Sequence, residues 1–332
     1  MNGIYTDKVC RLHVSRSFDD VELLTDSYRA TPSSCIQTTA GRFGAKIHAM
    51  ATTRLEIRDV GFDVGVINSI SHPTPRLALF LGAGGAARLM DNQLTGSNLG
   101  YVNLEQGFIA RMQPGSRWCN ISFDWGLIHQ VAETHGYVLP GGSYSCQVPP
   151  AAHKVLLAML TQVVRNQLFA ELSDDELEDE LARICLRVLS APQLVRSEWR
   201  IDHLRAIHRV LDFIHTEYSN PITVTSLCQL VGVSERVLQY KFKETMGCSI
   251  QQYLLSYRLH RARSMLLLDT KRQVNEVASA CGIHHAGRFS QYYRRLFGGS
   301  PRDLLTAPKR LRSSRSRSNL LHQSDNTRIC QT

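Results

Sequence analysis

From Arg54 to about Asp124 the apolar residues come in short runs, as in Leu77-Ala-Leu-Phe-Leu81, Gly107-Phe-Ile-Ala-Arg-Met112 and Asn120-Ile-Ser-Phe-Asp124. Gly, Pro, Asn and Asp separate them, a spacing that predicts antiparallel strands in a sandwich or barrel. From Ala151 the period becomes that of a helix. Val155, Leu156, Met159, Leu160, Val163 and Val164 recur at helical spacing, and Leu177, Leu181, Ile184, Cys185 and Val188 continue it over Asp174 to Leu189. The acidic opening of this second helix, Asp174-Asp-Glu176, suits the positive end of its dipole. Ser190-Ala-Pro192 interrupts the pattern and predicts a boundary near residues 190–200. Helices are expected from about Ile201 to Leu305.

Within that last region Thr225 to Val231 reads as a short helix that stops at Gly232, a residue able to take the left-handed conformation. Ser234 is a good N-cap for the next helix, in which Leu238 and Phe242 lie four apart on the inward face. Arg236, Gln239, Tyr240 and Lys243 then fall on other sides. A helix, a tight glycine turn and a second helix with polar outer positions is the helix-turn-helix arrangement, whose second helix enters the major groove. The pattern returns: Val274 to Ala280, then Gly282, then a helix with Phe289, Tyr293 and Leu296 inward and Arg288, Gln291, Arg294 and Arg295 elsewhere. Between the two lies one long helix, Ile250 to Leu268, a rod of roughly 28 Å. Such a rod suits two reading helices held about one duplex turn apart. No repeat at a short period is visible along the chain.

Charge sharpens this division. The 332 residues carry 38 Lys+Arg against 29 Asp+Glu, a formal charge of +9. Residues 200–332 hold 21 of the basic and 9 of the acidic residues, and residues 1–199 hold 17 and 20. The whole surplus is in the C-terminal part, as expected where one module meets a polyanion. A hydrophobic content of 43% excludes a wholly disordered chain and leaves room for about two domains. No apolar run reaches the roughly 20 residues that span a bilayer, and Asp7, Lys8, Arg11, Arg16, Asp19 and Asp20 interrupt any secretory h-region. No membrane partner and a cytoplasmic location are therefore expected. The nine cysteines lie about 20 or more residues apart, which predicts reduced, mostly buried thiols.

The run Thr225 to Leu305 resembles the DNA-binding domain of the AraC/XylS family of bacterial transcription regulators. The likeness is carried by Gly232-Val-Ser, Leu238 and Phe242-Lys243; by Gly247-Cys-Ser249, Tyr253, Arg258-Leu259-His-Arg-Ala262 and Met265-Leu266; and by Val277-Ala278, Gly282, Phe289-Ser290, Tyr293-Arg294 and Phe297-Gly298-Gly-Ser-Pro301. It implies two helix-turn-helix units, each placing one helix in an adjacent major-groove segment. Carried over residue by residue, the base-facing positions fall on Arg236, Gln239 and Tyr240 in the first unit, and on Gly287, Arg288 and Gln291 in the second. Arg suits guanine O6/N7 and Gln suits adenine N6/N7. Lys241, Lys243, Arg294 and Arg295 suit phosphate. The sequence departs from the family pattern at Ile283, where an aromatic is usual, at Ala286-Gly287, where longer polar side chains are common, and at Leu305, where an Arg is often found.

The same family commonly carries a cupin-like sensing and dimerisation domain, to which Gln37 to Ile47, Leu55-Glu-Ile-Arg58, the turn Gln113-Pro-Gly115 and Cys119 to Phe123 are more loosely similar. The expected fold class is thus α+β: a β-rich N-terminal domain with helices over residues 1–195, an all-α double helix-turn-helix domain over 200–306, and a disordered Ser/Arg-rich tail over 307–332. The resemblance implies promoter DNA and RNA polymerase as partners, activation as the mode of regulation, a small-molecule effector and a homodimer. Trp118, Phe123, His129 and Arg111 are candidates for a sensor pocket, each equally readable as core or surface.

One rival reading comes from another class. Leu77-Ala-Leu-Phe-Leu-Gly82-Ala-Gly84-Gly-Ala-Ala87 is a GxGxxA after an apolar run, the fingerprint of a nucleotide-binding loop over residues 82–87 in an NAD(P)-dependent oxidoreductase. The segments around it read as hairpins rather than alternating strand and helix, which favours a glycine-rich hairpin. Gly141-Gly-Ser143-Tyr-Ser145 lacks the last glycine of a hydrolase elbow. His284-His285 sits at a helix start, where His285 can cap. Neither a cofactor nor a metal is expected, and the chain is read as a non-enzyme.

Overall fold

The computed structural model describes residues 11–27, 33–70, 74–90, 92–139, 141–191, 195–198, 201–269 and 272–306. The expected Ser/Arg tail, 307–332, lies outside the described residues. The N-terminal part is built from β1 (Leu12–Phe18), α1 (Val21–Ser27), β2 (Ser33–Gln37), β3 (Ala45–Ala51), β4 (Leu55–Phe62), β5 (Val66–Ile70), β6 (Arg76–Gly84), β7 (Ala87–Leu89), β8 (Asn92–Leu94), β9 (Asn98–Asn103), β10 (Phe108–Met112), β11 (Ser116–Asp124), α2 (Trp125–His135), β12 (Tyr144–Gln147), α3 (Pro150–Val164), α4 (Asp174–Leu189) and β13 (Val195–Glu198). One sheet runs β1-β3-β4-β11-β6-β9-β12-β13 and a second runs β2-β5-β10-β7-β8, with antiparallel pairing throughout the described ladders.

The alternation along β6 explains the layering. Leu77, Leu79 and Leu81 face α2, α3 and α4 in one core, while Ala78 and Phe80 face the second sheet in another. Successive side chains point to opposite faces of a strand, so a continuous apolar run marks a strand covered on both sides. Phe80, Phe108 and Trp118 meet edge to face between the sheets, with ring centroids 4.9 to 6.5 Å apart. The glycines at its end do not make a nucleotide loop. The chain turns at Gly84 and Gly85, both at positive φ, and returns as β7, so no helix N-terminus is available there to hold a pyrophosphate. The oxidoreductase reading fails on this ground.

The helical layer is anchored by local chemistry. Asp124 caps α2 by accepting from the Gly126 amide, and Gly136 ends it in the left-handed conformation. Ser173 and Glu176 form a capping box on α4. Glu178 is buried on α4, and its carboxylate accepts from the Arg54 amide (2.9 Å), the Arg54 guanidinium (2.7 Å) and the Thr52 hydroxyl, tying the helix to the β3–β4 turn. Three acceptor bonds satisfy a charge that burial alone would disfavour.

The C-terminal part comprises α5 (Ile201–Glu217), α6 (Val224–Val231), α7 (Glu235–Met246), α8 (Ile250–Leu268), α9 (Val274–Ala280), α10 (Ala286–Phe297) and α11 (Pro301–Thr306). It docks on α1, β2 and the β2–β3 loop. Asp20, 1% exposed, pairs with Arg263 of α8, whose guanidinium also donates to the Tyr293 hydroxyl (2.8 Å) and lies 4.9 Å from the Phe297 ring centre. The Gln37 amide donates to His260 Nε2 (2.9 Å), and His260 Nδ1 lies 3.2 Å from Glu22. Since Nε2 accepts, the ring carries its proton on Nδ1 and donates to that carboxylate. The Gln37 side-chain amide reaches the Leu296 carbonyl (2.7 Å), which also accepts from the Gly41 amide (3.2 Å). No described helix is long and apolar enough to cross a membrane.

Candidate nucleic-acid interface

The two helix pairs are built on one plan. Gly232 closes α6 at φ 72 and Gly247 closes α7 at φ 73; Gly282 follows α9 at φ 74 and Gly298 closes α10 at φ 73. Backbone bonds from Gly232 to Cys228, Gly247 to Lys243 and Gly298 to Arg294 satisfy the terminal carbonyls. Both α7 and α10 are 12 residues long, and Gly298 follows Gly247 by 51 positions, as Phe289 follows Leu238 and Tyr293 follows Phe242. The sequence shows two such units, and their outer positions Arg236 and Gly287, and Tyr240 and Gln291, already stand in this register. The register is read from the two capping glycines, because one extra residue between Gly282 and α10 shifts the preceding turn.

The two units pack in separate cores, the first continuous with the core between the sheets, and α8 contributes to both. Its first half places Ile250, Tyr253 and Leu254 with Leu227, Leu238, Phe242 and the apolar face of α5. Its second half places Leu259, Ala262 and Leu266 with Val277, Ala278, Phe289, Tyr293 and Leu296. Ile283 is buried in this second core, in the place where the family usually has an aromatic.

With Leu238 and Phe242 facing in, the residue midway between them points straight out at 3.6 residues per turn. That residue is Tyr240, 63% exposed, flanked on the outer face by Arg236 and by Val237, 43% exposed. In α10 the same construction puts Gln291 outermost, flanked by Gly287 and Arg288, with Arg294 and Arg295 beside them, all exposed. No ion pair holds Arg288 among the described residues.

The predicted residues do not all share the outer face. Gln239 is exposed at its flank, and its amide donates to Glu235 (2.8 Å). Lys241 is half-buried, pairs with Glu244 (2.8 Å) and lies 5.4 Å from the Tyr240 ring centre. Lys243 is exposed on the outer side of α7. Val237, an isolated β-branched residue among polar ones, carries no signal of its own in the sequence. The β-rich part leaves these outer faces open: it grips α8 and the C-terminal ends of α7 and α10. There Arg111 covers Gly247 so closely that a Cβ would lie within 2.7 Å of the guanidinium carbon. A cation at that end of a helix suits its dipole. The four pocket candidates are not brought together. Trp118 lies between the sheets, Phe123 faces the helical layer, His129 packs on Trp125, and Arg111 lies on Gly247.

A helix-turn-helix domain model matches residues 227–307. The C-terminal region is a helix-turn-helix domain of the AraC type. This AraC-type domain is where similarity to known proteins concentrates. The transcriptional regulator GbdR of Pseudomonas aeruginosa is 37% identical over 97 residues, which are 29% of this chain and 26% of that protein. The transcriptional activator RhaS of Escherichia coli is 27% identical over 162 residues, 47% of this chain and 57% of RhaS. The chain thus spans about a quarter of the first of these relatives and just over half of the second. The solved structure of the AraC-like transcriptional activator CuxR is 13% identical, covers 76% of this chain and 95% of its own, and superposes with a TM-score of 0.43.

Proposed function

We propose that the chain is a sequence-specific DNA-binding transcription regulator that inserts α7 and α10 into adjacent major-groove segments of promoter DNA. The observation that carries this reading is the pair of matched units within the AraC-type domain, each presenting an exposed outer face with arginine and hydrogen-bonding side chains. Arg236, Tyr240, Arg288 and Gln291 are the base-facing residues, with Gln239 reaching the groove wall once its bond to Glu235 opens. Lys243, Arg294 and Arg295 hold phosphates, and Lys241 contributes positive potential from beside Glu244.

The likeness to RhaS, a transcriptional activator, supports activation; RNA polymerase as the protein partner and a cytoplasmic location belong to the same proposal. The β-rich domain is the place for a small-molecule effector and for homodimer contacts. Residues 1–195 form that sensing domain and 200–306 the DNA-binding domain. No catalytic step and no cofactor are assigned.

Sites selected from genomic DNA by the purified protein, followed by footprinting, test this reading. Arg236→Ala should weaken one half of the footprint by roughly 1 to 3 kcal/mol and relax its base preference. Lys243→Ala should weaken all DNA alike and lower the slope of log affinity against log salt by about 1. Footprints unchanged by both would refute the assignment of α7.

A further inference from the structure

The outer face of α7 carries more apolar surface than a solvated helix needs. Val237 and Tyr240 are two of six large hydrophobic side chains exposed among the described residues, and they lie three positions apart on one face of this helix. Residues at that spacing are neighbours on a helix surface. Lys241 stands beside the Tyr240 ring, 5.4 Å from its centre, and its pairing with Glu244 holds it there. Neither Val237 nor Tyr240 is needed by the core, which Leu238, Phe242, Thr245 and Met246 fill from the opposite side.

The 51-residue register gives the patch a place in the second unit. Val237 corresponds to Arg288, Arg236 to Gly287 and Tyr240 to Gln291. A position that holds an outward guanidinium in α10 therefore holds an outward isopropyl group in α7. In the major groove the apolar feature of a base edge is the C5-methyl of thymine, which side-chain methyl groups and aromatic rings contact.

Resting on the DNA-binding reading above, we propose that Val237, with Tyr240 beside it, reads a thymine C5-methyl next to the base contacted by Arg236. The first unit then discriminates by apolar contact at one base pair and by hydrogen bonding at its neighbour. The second unit, with Arg288 at the equivalent position and no side chain at Gly287, reads by hydrogen bonding alone.

The test replaces each thymine of a selected site, one at a time, with deoxyuridine, which removes the methyl and keeps the base pair. With the full-length protein, one substitution in the first half-site should weaken binding about fourfold, the factor that burying one methyl-sized group is worth. Val237→Ala should bind the thymine site as weakly as the wild type binds the uracil site, and should no longer distinguish the two. Lys243→Ala should weaken both probes and leave their ratio unchanged. A thymine-to-uracil ratio equal in the wild type and Val237→Ala, with both binding tightly, would overturn the assignment of Val237 and leave the DNA-binding reading standing. Failure of the wild type to bind any selected site would overturn both.

Discussion

Asp20→Asn removes one charge from the junction between the β-rich part and α8 and turns one acceptor there into a donor. Asn caps a helix about as well as Asp, so the bond from the Glu22 amide to Asp20 Oδ1 (2.8 Å) that starts α1 survives. What changes is the partner of Arg263, whose side chain is 13% exposed against 1% for Asp20. Burial works against the guanidinium, yet Asp20 and the Tyr293 hydroxyl outweigh it and raise its pKa above the usual value. At an effective dielectric constant of about 20 the attraction at hydrogen-bonding distance is roughly 5 kcal/mol. Breaking a buried pair from one side costs about 3–5 kcal/mol, because the remaining charge stays buried. The Asn carbonyl keeps the Glu22 bond and its NH2 then faces the guanidinium, but Tyr293 and Phe297 remain as partners of Arg263, so the lower end, about 3 kcal/mol, is expected. The Gln37 amide, bonded to His260 in the same junction, is a direct reporter. Its hydrogen exchange should accelerate about a hundredfold, at ~1.4 kcal/mol per tenfold. Arg183→Ala, which removes the surface pair with Glu180 on α4, should change the urea midpoint little and leave Gln37 unchanged. A change at Gln37 below threefold, with a urea midpoint no lower than that of Arg183→Ala, would refute the view that this pair holds the two parts together.

Three further outcomes are expected. His215 stacks on Tyr257 and lies 2.9 Å from the Tyr253 hydroxyl, and burial pushes its pKa down to about 4. The unfolded chain therefore binds the proton more tightly, and the stability present above pH ~6.5 should fall by about 2 kcal/mol on going to pH 5. Thermal unfolding of the wild type and His215→Gln across that range checks it, and equal pH slopes would contradict it. Gly287→Ala should raise stability by about 0.5 to 1 kcal/mol, since a Cβ there meets nothing within 4 Å and Ala is the better helix former; an unchanged or lower melting temperature would count against this. Phe242→Ala should cost about 3–5 kcal/mol in urea unfolding, because the ring is fully buried in the first unit's core.

Features set by local periodicity were legible in the chain. The apolar run Leu77 to Leu81 marks β6, the helical recurrence from Val155 to Val164 marks α3, and Asp174-Asp-Glu176 marks the start of α4. Gly232 and Ser234 marked the turn between α6 and α7 because backbone conformation at those positions restricts the residue type. Contacts between distant segments left no such trace. Asp20 and Arg263 stand 243 positions apart, and each reads alone as a surface charge. β13 falls inside the stretch marked as a boundary, since four residues paired only with β12 show no period of their own. As read from the sequence, the outer faces of α7 and α10 agree at two positions, Arg236 with Gly287 and Tyr240 with Gln291, and differ at the third. There the sequence offers Gln239 rather than Val237, and only the aligned cores of the two units reveal the correspondence.

The matched units have nearly the same backbone plan and different outer chemistry: arginine, valine and tyrosine on one, glycine, arginine and glutamine on the other. A pair of identical readers related by a twofold axis sees the same message from either end of the duplex. Two unlike readers joined by one rod do not, because turning the site around offers each unit the half meant for its partner. On the proposed DNA-binding reading, a single copy of this chain tells upstream from downstream by itself, and the β-sheets fixed to α8 are carried always to the same side of the site.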